Sequence, residues 1–385
     1  MRRSESRILT THAGSLPRPA SLVDLQLAKF RGEAVDEETL AREAIAATEA
    51  VVAQQIEIGI DVINNGEQIR ESFFTYVQHR MHGFGGTSTR PPFQDMVRYP
   101  GWIRLKIPGY QNGVSLAAAP QAQGPISYAD TTPLEDELSV FSAALAPRAG
   151  EFVESFVTAP SPGIIAAAMQ NMYYPELESY IEALAAALAT EYQAIIKHGH
   201  ILQLDAPDLA MERHTYFADQ SDEEFLEFVE CVIEAMRRAL ADIPKEQIRL
   251  HVCWGNYDGP HDCDIPLQTL LPSLVKAHTG ALMISLANAR HAHEVKLLTN
   301  EALPEGMLII AGVIDTTSNY VEHPEVVADR IVAVAERIDD PQRVIAGTDC
   351  GFDTAAGFRD VAEDVAWAKL KSLAEGAALA SSHLF

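Results

Sequence analysis

Long apolar runs are missing from this sequence. No stretch approaches the ~20 residues that span a bilayer, and the basic start Met1-Arg2-Arg3-Ser4-Glu5-Ser6-Arg7 is not followed by the apolar segment of a secretory signal. Positive charge is short as well. Lys and Arg number 29 against 54 Asp and Glu, a formal net charge of −25, which repels nucleic-acid phosphates and anionic membrane surfaces. Cysteine is scarce: Cys231, Cys253, Cys263 and Cys350 are the only four among 385 residues, too few for a disulfide-stapled secreted fold. No GxGxxG or Walker-type phosphate loop occurs, and no solenoid repeat or low-complexity linker, which speaks against a dinucleotide-binding sheet. What these absences leave is an acidic, cytoplasmic, globular protein whose cysteines are free for metal binding or catalysis.

What is present is a rhythm of short apolar strands followed by amphipathic helices. Strands are expected near residues 9, 62, 155, 203, 250, 284, 310 and 345, and helices over 36–58, 176–198, 222–240, 267–277, 291–299, 324–338 and 360–379. Eight such units predict an α/β fold, a (β/α)8 TIM barrel, with 1–385 as a single domain. Residues 80–150 break the rhythm with Gly, Pro and aromatic residues. They read as an insertion between the second and third strands, containing a hairpin built from 114–118 and 124–128. So long an irregular segment is uncommon unless functional, and a lid or pocket wall is expected.

Barrel active sites lie where strands end. The first strand exits at His12, Gly14 and Ser15, the second at Asn64, Asn65 and Glu67, and the fourth at Asp205. The fifth runs Arg249-Leu250-His251-Val252-Cys253-Trp254-Gly255-Asn256, and its i, i+2 spacing aims His251 and Cys253 to one side. Cys350 leaves the eighth strand at the same rim. One imidazole and two thiolates are ligands that zinc prefers, with a fourth position open. Spacing alone leaves other readings open, since a strand cysteine is also a small hydrophobe and His251 could be a core residue bonded to backbone. Cys231 sits on a helix face and reads as packing. Cys263, in the loop after the fifth strand, is expected to line the site.

Taken in order, Thr10-Thr11-His12-Ala13-Gly14-Ser15-Leu16-Pro17-Arg18-Pro19, Asn65-Gly66-Glu67, Gln203-Leu204-Asp205-Ala206-Pro207, His251-Val252-Cys253, Gly312-Val313-Ile314-Asp315 and Thr348-Asp349-Cys350-Gly351 resemble the catalytic domain of cobalamin-independent methionine synthase. A single-barrel subgroup that includes epoxyalkane:coenzyme M transferase is similar again, through residues 251–260, 288–294 and 312–324. The resemblance implies Zn2+ on His251, Cys253 and Cys350, binding a thiol as thiolate. It implies that Ser15, Glu67 and Asp205 hold the amino-acid part of homocysteine, with Glu67 and Asp205 also in catalytic roles. His12, Trp254 and Asn256 complete the expected substrate contacts, and Trp254, Tyr128 and the insertion are candidates to face the alkyl donor.

Two positions depart from the family. Ala287 stands where a further glutamate ligand is found, and Thr317 where a histidine proton donor is found, leaving His291, His293 and His323 as substitutes. The function expected is zinc-dependent methyl or alkyl transfer from a methylfolate-type donor to homocysteine or a related thiol. The alternatives are an epoxide-opening thiol transferase and a non-catalytic zinc-binding protein. The partners implied are a small-molecule thiol and an alkyl donor; nucleic acid and membrane are excluded, and a homo-oligomer is admitted.

Overall fold

The computed structural model describes residues 1–385 apart from 111–112 and 115–118, with the side chains of 107–110 also outside it. Ten strands are described: β1 (Leu9–Thr10), β2 (Val62–Ile63), β3 (Met81–Gly85), β4 (Gln121–Tyr128), β5 (Glu154–Pro160), β6 (Ile201–Asp205), β7 (Ile248–Val252), β8 (Ala281–Ser285), β9 (Leu308–Ile314) and β10 (Val344–Thr348). Eight of them form one parallel sheet in the order β1-β10-β9-β8-β7-β6-β5-β2. The two ends meet through Asp61. Its N–H donates to the Thr10 carbonyl at 3.2 Å, the Thr10 N–H donates to its carboxylate at 2.9 Å, and the Thr11 hydroxyl donates to the Val62 carbonyl at 2.9 Å. This is the expected TIM barrel, with helices between successive strands.

The strands are short and β-branched because both faces are buried. In β7, Leu250 and Val252 join the large cluster formed with the surrounding helices, while Arg249 and His251 share the opposite, inward side. A separate apolar layer that includes Leu9, Met283, Ile310 and Ile345 fills the barrel's lower interior. Arg249 tops that layer. Its Nε donates to Gln203 Oε1 at 2.6 Å, its Nη1 to Thr11 Oγ1 at 3.0 Å and its Nη2 to the His12 carbonyl at 2.7 Å. The guanidinium also lies 3.5 Å from the Phe156 ring centroid. With every nitrogen engaged, the buried cation is tolerated and forms a rigid polar floor beneath His251.

Three expectations need correction. The hairpin exists, but β4 pairs antiparallel with β3; residues 115–118, expected as its other strand, lie outside the described residues. Within the stretch read as irregular, Thr132–Leu145 is a regular helix that packs against Glu37–Glu57, so it belongs to the outer ring. Pro133 at its first turn is a good helix start rather than a breaker. The segment 291–299 forms only a tight 3-10 turn over Ala292–Leu297.

Candidate active site

Local chemistry at three strand exits places the site. After β2, Asn64 Oδ1 accepts from the Gly66 N–H at 2.8 Å and Asn65 Oδ1 from the Glu67 N–H at 3.0 Å. These side-chain turns hold Gly66 and Glu67 both at positive φ, 63° and 58°. A non-glycine residue in that region stores strain that is commonly kept for function, and here it directs the Glu67 carboxylate into the barrel mouth. After β7 the chain turns at Gly255, φ 105°, where a Cβ would come within 2.9 Å of the Tyr257 ring. After β10, Gly351 lies so close to Ser15 that a Cβ there would be 2.0 Å from Ser15 Oγ.

These exits converge. His251, Cys253 and Cys350 are buried, and one ligand atom from each lies within 4.8 Å of the others. The two sulfurs are 3.9 Å apart. Hydrogen bonding from Cys350 holds the Cys253 thiol well below its ordinary pKa, with the His251 imidazolium adding to the effect. The same bond, together with burial, pushes Cys350 up, so the pair shares one proton. His251 Nδ1 lies 2.9 Å from Asp205 Oδ1. Burial opposes charge on this ring, yet Asp205 and Cys253 outweigh it and lift the imidazole to about 10. Its Nε2 points to the Asp349 carbonyl oxygen at 3.2 Å. Asp205 is itself fixed by Gln203 Nε2, which donates to it at 2.7 Å. Nδ1 is thereby committed, leaving Nε2 as the nitrogen available to a ligand.

Above these groups opens a cavity of about 440 Å³ lined by Ser15, Glu67, Asp205, His251, Cys253, Cys350, Asn256 and an apolar wall. Phe73, Phe74, Phe93, Met96, Met211 and Phe358 belong to that wall, with Arg90 at its edge. Arg90 is ion-paired to the buried Glu212. Phe93, Met96 and Arg90 come from the insertion, so the expectation that it walls the pocket holds. Glu67 Oε1 accepts from Thr158 Oγ1 at 2.8 Å, while its buried Oε2 has no partner. Burial, then the neighbouring charge of Asp205, push the Glu67 carboxyl up to about 7 against the pull of Arg70 and Arg18.

Not every expected residue reaches the cavity. His12 is buried away from it: the Gly14 N–H donates to Nδ1 at 3.2 Å and Nε2 meets Gln55 Oε1 at 2.8 Å. Burial drives its pKa down to about 3, so it is a neutral structural ring. Trp254 donates to the Ile265 carbonyl at 2.7 Å and stacks on His291 at 3.8 Å, behind the cysteines. Tyr128 donates to Glu191 at 2.9 Å, outside the cavity. Cys263 does not line it either and faces Asp262 and Arg98. Asn256 does line it, donating to the Gly351 carbonyl at 2.9 Å and accepting from Thr316 at 2.9 Å.

Sequence reasoning missed the role of Asp349. Its Oδ1 accepts from the N–H groups of Leu286 and Ala287, both at 2.9 Å, and its Oδ2 from Asn288 at 2.7 Å. A carboxylate from the end of β10 thus organises the loop after β8, Ala287 included. The only available signal was an aspartate immediately before a candidate ligand. Among the substitutes for the family histidine, His291 is buried against Glu294 and Asp264, His293 is exposed, and His323 caps the helix Pro324–Ile338.

Known proteins resemble this chain over most of its length. The family model described as "Cobalamin-independent synthase, Catalytic domain" matches residues 8–97 and 89–368. The methionine synthase of Thermococcus kodakarensis is 27% identical over 348 residues, 89% of this chain and 86% of the relative. That of Sulfurisphaera tokodaii is 24% identical over 378 residues, 97% and 93% of the two chains. A solved B12-independent methionine synthase from Shewanella sp. W3-18-1, in complex with selenomethionine, superposes with TM-score 0.74 at 19% identity, covering 98% of this chain and 99% of that one; at that identity it speaks for the fold.

Proposed function

The chain belongs to the cobalamin-independent methionine synthase superfamily, and from that premise we propose that it transfers a methyl or alkyl group to a small-molecule thiol at a zinc ion held by His251, Cys253 and Cys350. The observation that carries the reading is the convergence of these three buried ligand atoms, with the Asp205 carboxylate engaging Nδ1 and Nε2 meeting only a backbone carbonyl that a metal would displace. Two thiolates and a neutral imidazole fit zinc, and three protein ligands leave a position open for substrate, as in catalytic rather than structural sites. When bound, the metal supplies deprotonation of the acceptor thiol at neutral pH.

The chain's own residues do the rest. Asp205 orients His251. Glu67 and Asp205 both line the cavity, and Glu67 Oε2 is buried without a partner; an ammonium group bound between the two carboxylates would offset that cost. That supports an amino thiol such as homocysteine as acceptor, with Ser15 and Asn256 at the same rim. The apolar wall excludes water from the reacting carbon and takes the alkyl end of the donor. In the transfer the new S–C bond forms as the donor's bond to carbon breaks, and the donor fragment leaves with the electron pair.

A second reading, epoxide opening by the same thiolate, is favoured by that apolar wall, which suits a small uncharged electrophile; there the ring C–O bond breaks and the alkoxide takes a proton from water. The test measures zinc content and product together. We expect zinc-loaded protein to form methionine from homocysteine and a methyl donor, and Cys253→Ser and Cys350→Ser to lose the ion held there together with the product. Consumption of a thiol with a small epoxide, without methionine formation, moves the assignment to the second reading. A zinc count unchanged from the wild type in both serine variants refutes the site.

A further inference from the structure

Away from the cavity floor a second set of ligand-type side chains meets. Asp95, Asp262 and Cys263 each bring one ligand atom within 4.8 Å of the others. Asp95 lies on the insertion helix Gln94–Arg98, whereas Asp262 and Cys263 lie in the loop that follows Cys253. Asp95 is fully buried. Its Oδ2 accepts from the Tyr257 hydroxyl and the His261 N–H, both at 2.8 Å, but its Oδ1 has no partner. A buried carboxylate oxygen with no close donor is costly, and the Cys263 thiol also turns to this carboxylate, so a cation here would be stabilised by both groups. Asp262 and Cys263 are half-buried, which gives an ion a way in from solvent.

We propose that Asp95, Asp262 and Cys263 form a second cation site, separate from the His251–Cys253–Cys350 centre, which takes zinc or a divalent ion of similar softness. One thiolate and two carboxylates suit such an ion. On binding, the Cys263 S–H bond breaks, its proton passes to solvent, and the sulfur–metal bond forms. Three anionic ligands beside the Arg98 guanidinium, 3.1 Å from Asp262 and 3.8 Å from Cys263, carry a net charge of −2, which a divalent ion cancels. Arg98 is more than half exposed and is free to turn outward as the ion enters. The site joins the helix carrying Met96, a cavity-wall residue, to the loop following Cys253. Its occupant therefore fastens the cavity wall over the reaction centre.

The experiment counts metal on the full chain after Zn2+ loading and removal of free ion, with Co2+ as a second probe. We expect two ions per chain in the wild type, one in Cys263→Ser and in Asp95→Asn, and one in the double variant Cys253→Ser/Cys350→Ser. The triple variant that adds Cys263→Ser is expected to hold none. Limited proteolysis within residues 86–106 should slow on loading. At a free metal concentration 100 times Kd the open form falls by about 100-fold, and Cys263→Ser should abolish that protection. Equal metal content in wild type and Cys263→Ser overturns the proposal, and if that variant does not fold, Asp262→Asn puts the same question. A metal count that Cys253→Ser/Cys350→Ser does not lower bears only on the proposed reaction centre, so the two readings fail separately.

Discussion

The carboxyl of Glu67 offers the sharpest test, because one atom links stability to binding. Glu67 is buried with Oε2 unpartnered, and burial followed by the charge of Asp205 holds its pKa at about 7 against an ordinary 4.5. A group whose folded pKa lies above its unfolded value contributes stability that is fully present below pH 4.5 and is lost as pH rises through 7. A shift of this size is worth on the order of 3 kcal/mol once both states are ionised. Glu67→Gln keeps the acceptor for Thr158 and removes the ionisation. The variant should therefore match the wild type in urea unfolding near pH 4 and exceed it by on the order of 3 kcal/mol at pH 8. The same substitution removes one carboxylate facing the proposed ammonium subsite. Losing a charged hydrogen bond there should lower kcat/KM for an amino thiol on the order of 10- to 100-fold and leave a thiol without the amino group nearly unaffected. Unfolding curves whose separation does not change with pH would refute the electrostatic argument, and equal losses with both thiols would refute the binding argument.

Three further outcomes follow from the same geometry. Asp205→Asn should weaken zinc affinity by roughly 10- to 100-fold through the orientation of His251, read by competition with a chelator; unchanged affinity would remove Asp205 from that role. Asp349→Asn replaces one acceptor with a donor facing backbone N–H groups of residues 286–288 and should cost roughly 1–3 kcal/mol, measured by urea unfolding. Gly351→Ala puts a methyl group 2.0 Å from Ser15 Oγ and should cost roughly 1–3 kcal/mol while raising KM; unaltered thermal unfolding would show that the loop yields freely.

Much of the site was legible because its signals are local. The i, i+2 spacing of His251 and Cys253 survives any packing, since alternation is a property of an extended chain. Cys350 needed only the count of strands to be placed on the same rim. His12 and Trp254 were misplaced because sequence shows that a residue leaves a strand, not which way its ring turns. Gln55, on the helix before β2, captured His12, and His291 captured Trp254. Neither partner is a neighbour in sequence. Cys263 likewise stood in a loop near the site, and helix Gln94–Arg98 of the insertion, more than 160 residues earlier, decided what it meets.

The sequence by itself determined the barrel, through eight apolar strands separated by helices of matching period, and determined the three ligand types at its rim. That Ala287 and Thr317 carry neither a carboxylate nor an imidazole is likewise visible without coordinates. Only the tertiary structure decided how those groups are supported. The long-range hydrogen bond to Asp205 fixes Nδ1 of His251 and turns Nε2 toward the Asp349 carbonyl, and the Asp349 carboxylate organises the loop of β8. The insertion's aromatic wall closes over them. These are contacts between residues distant along the chain, and they exist only once the closed barrel has brought its strand ends together.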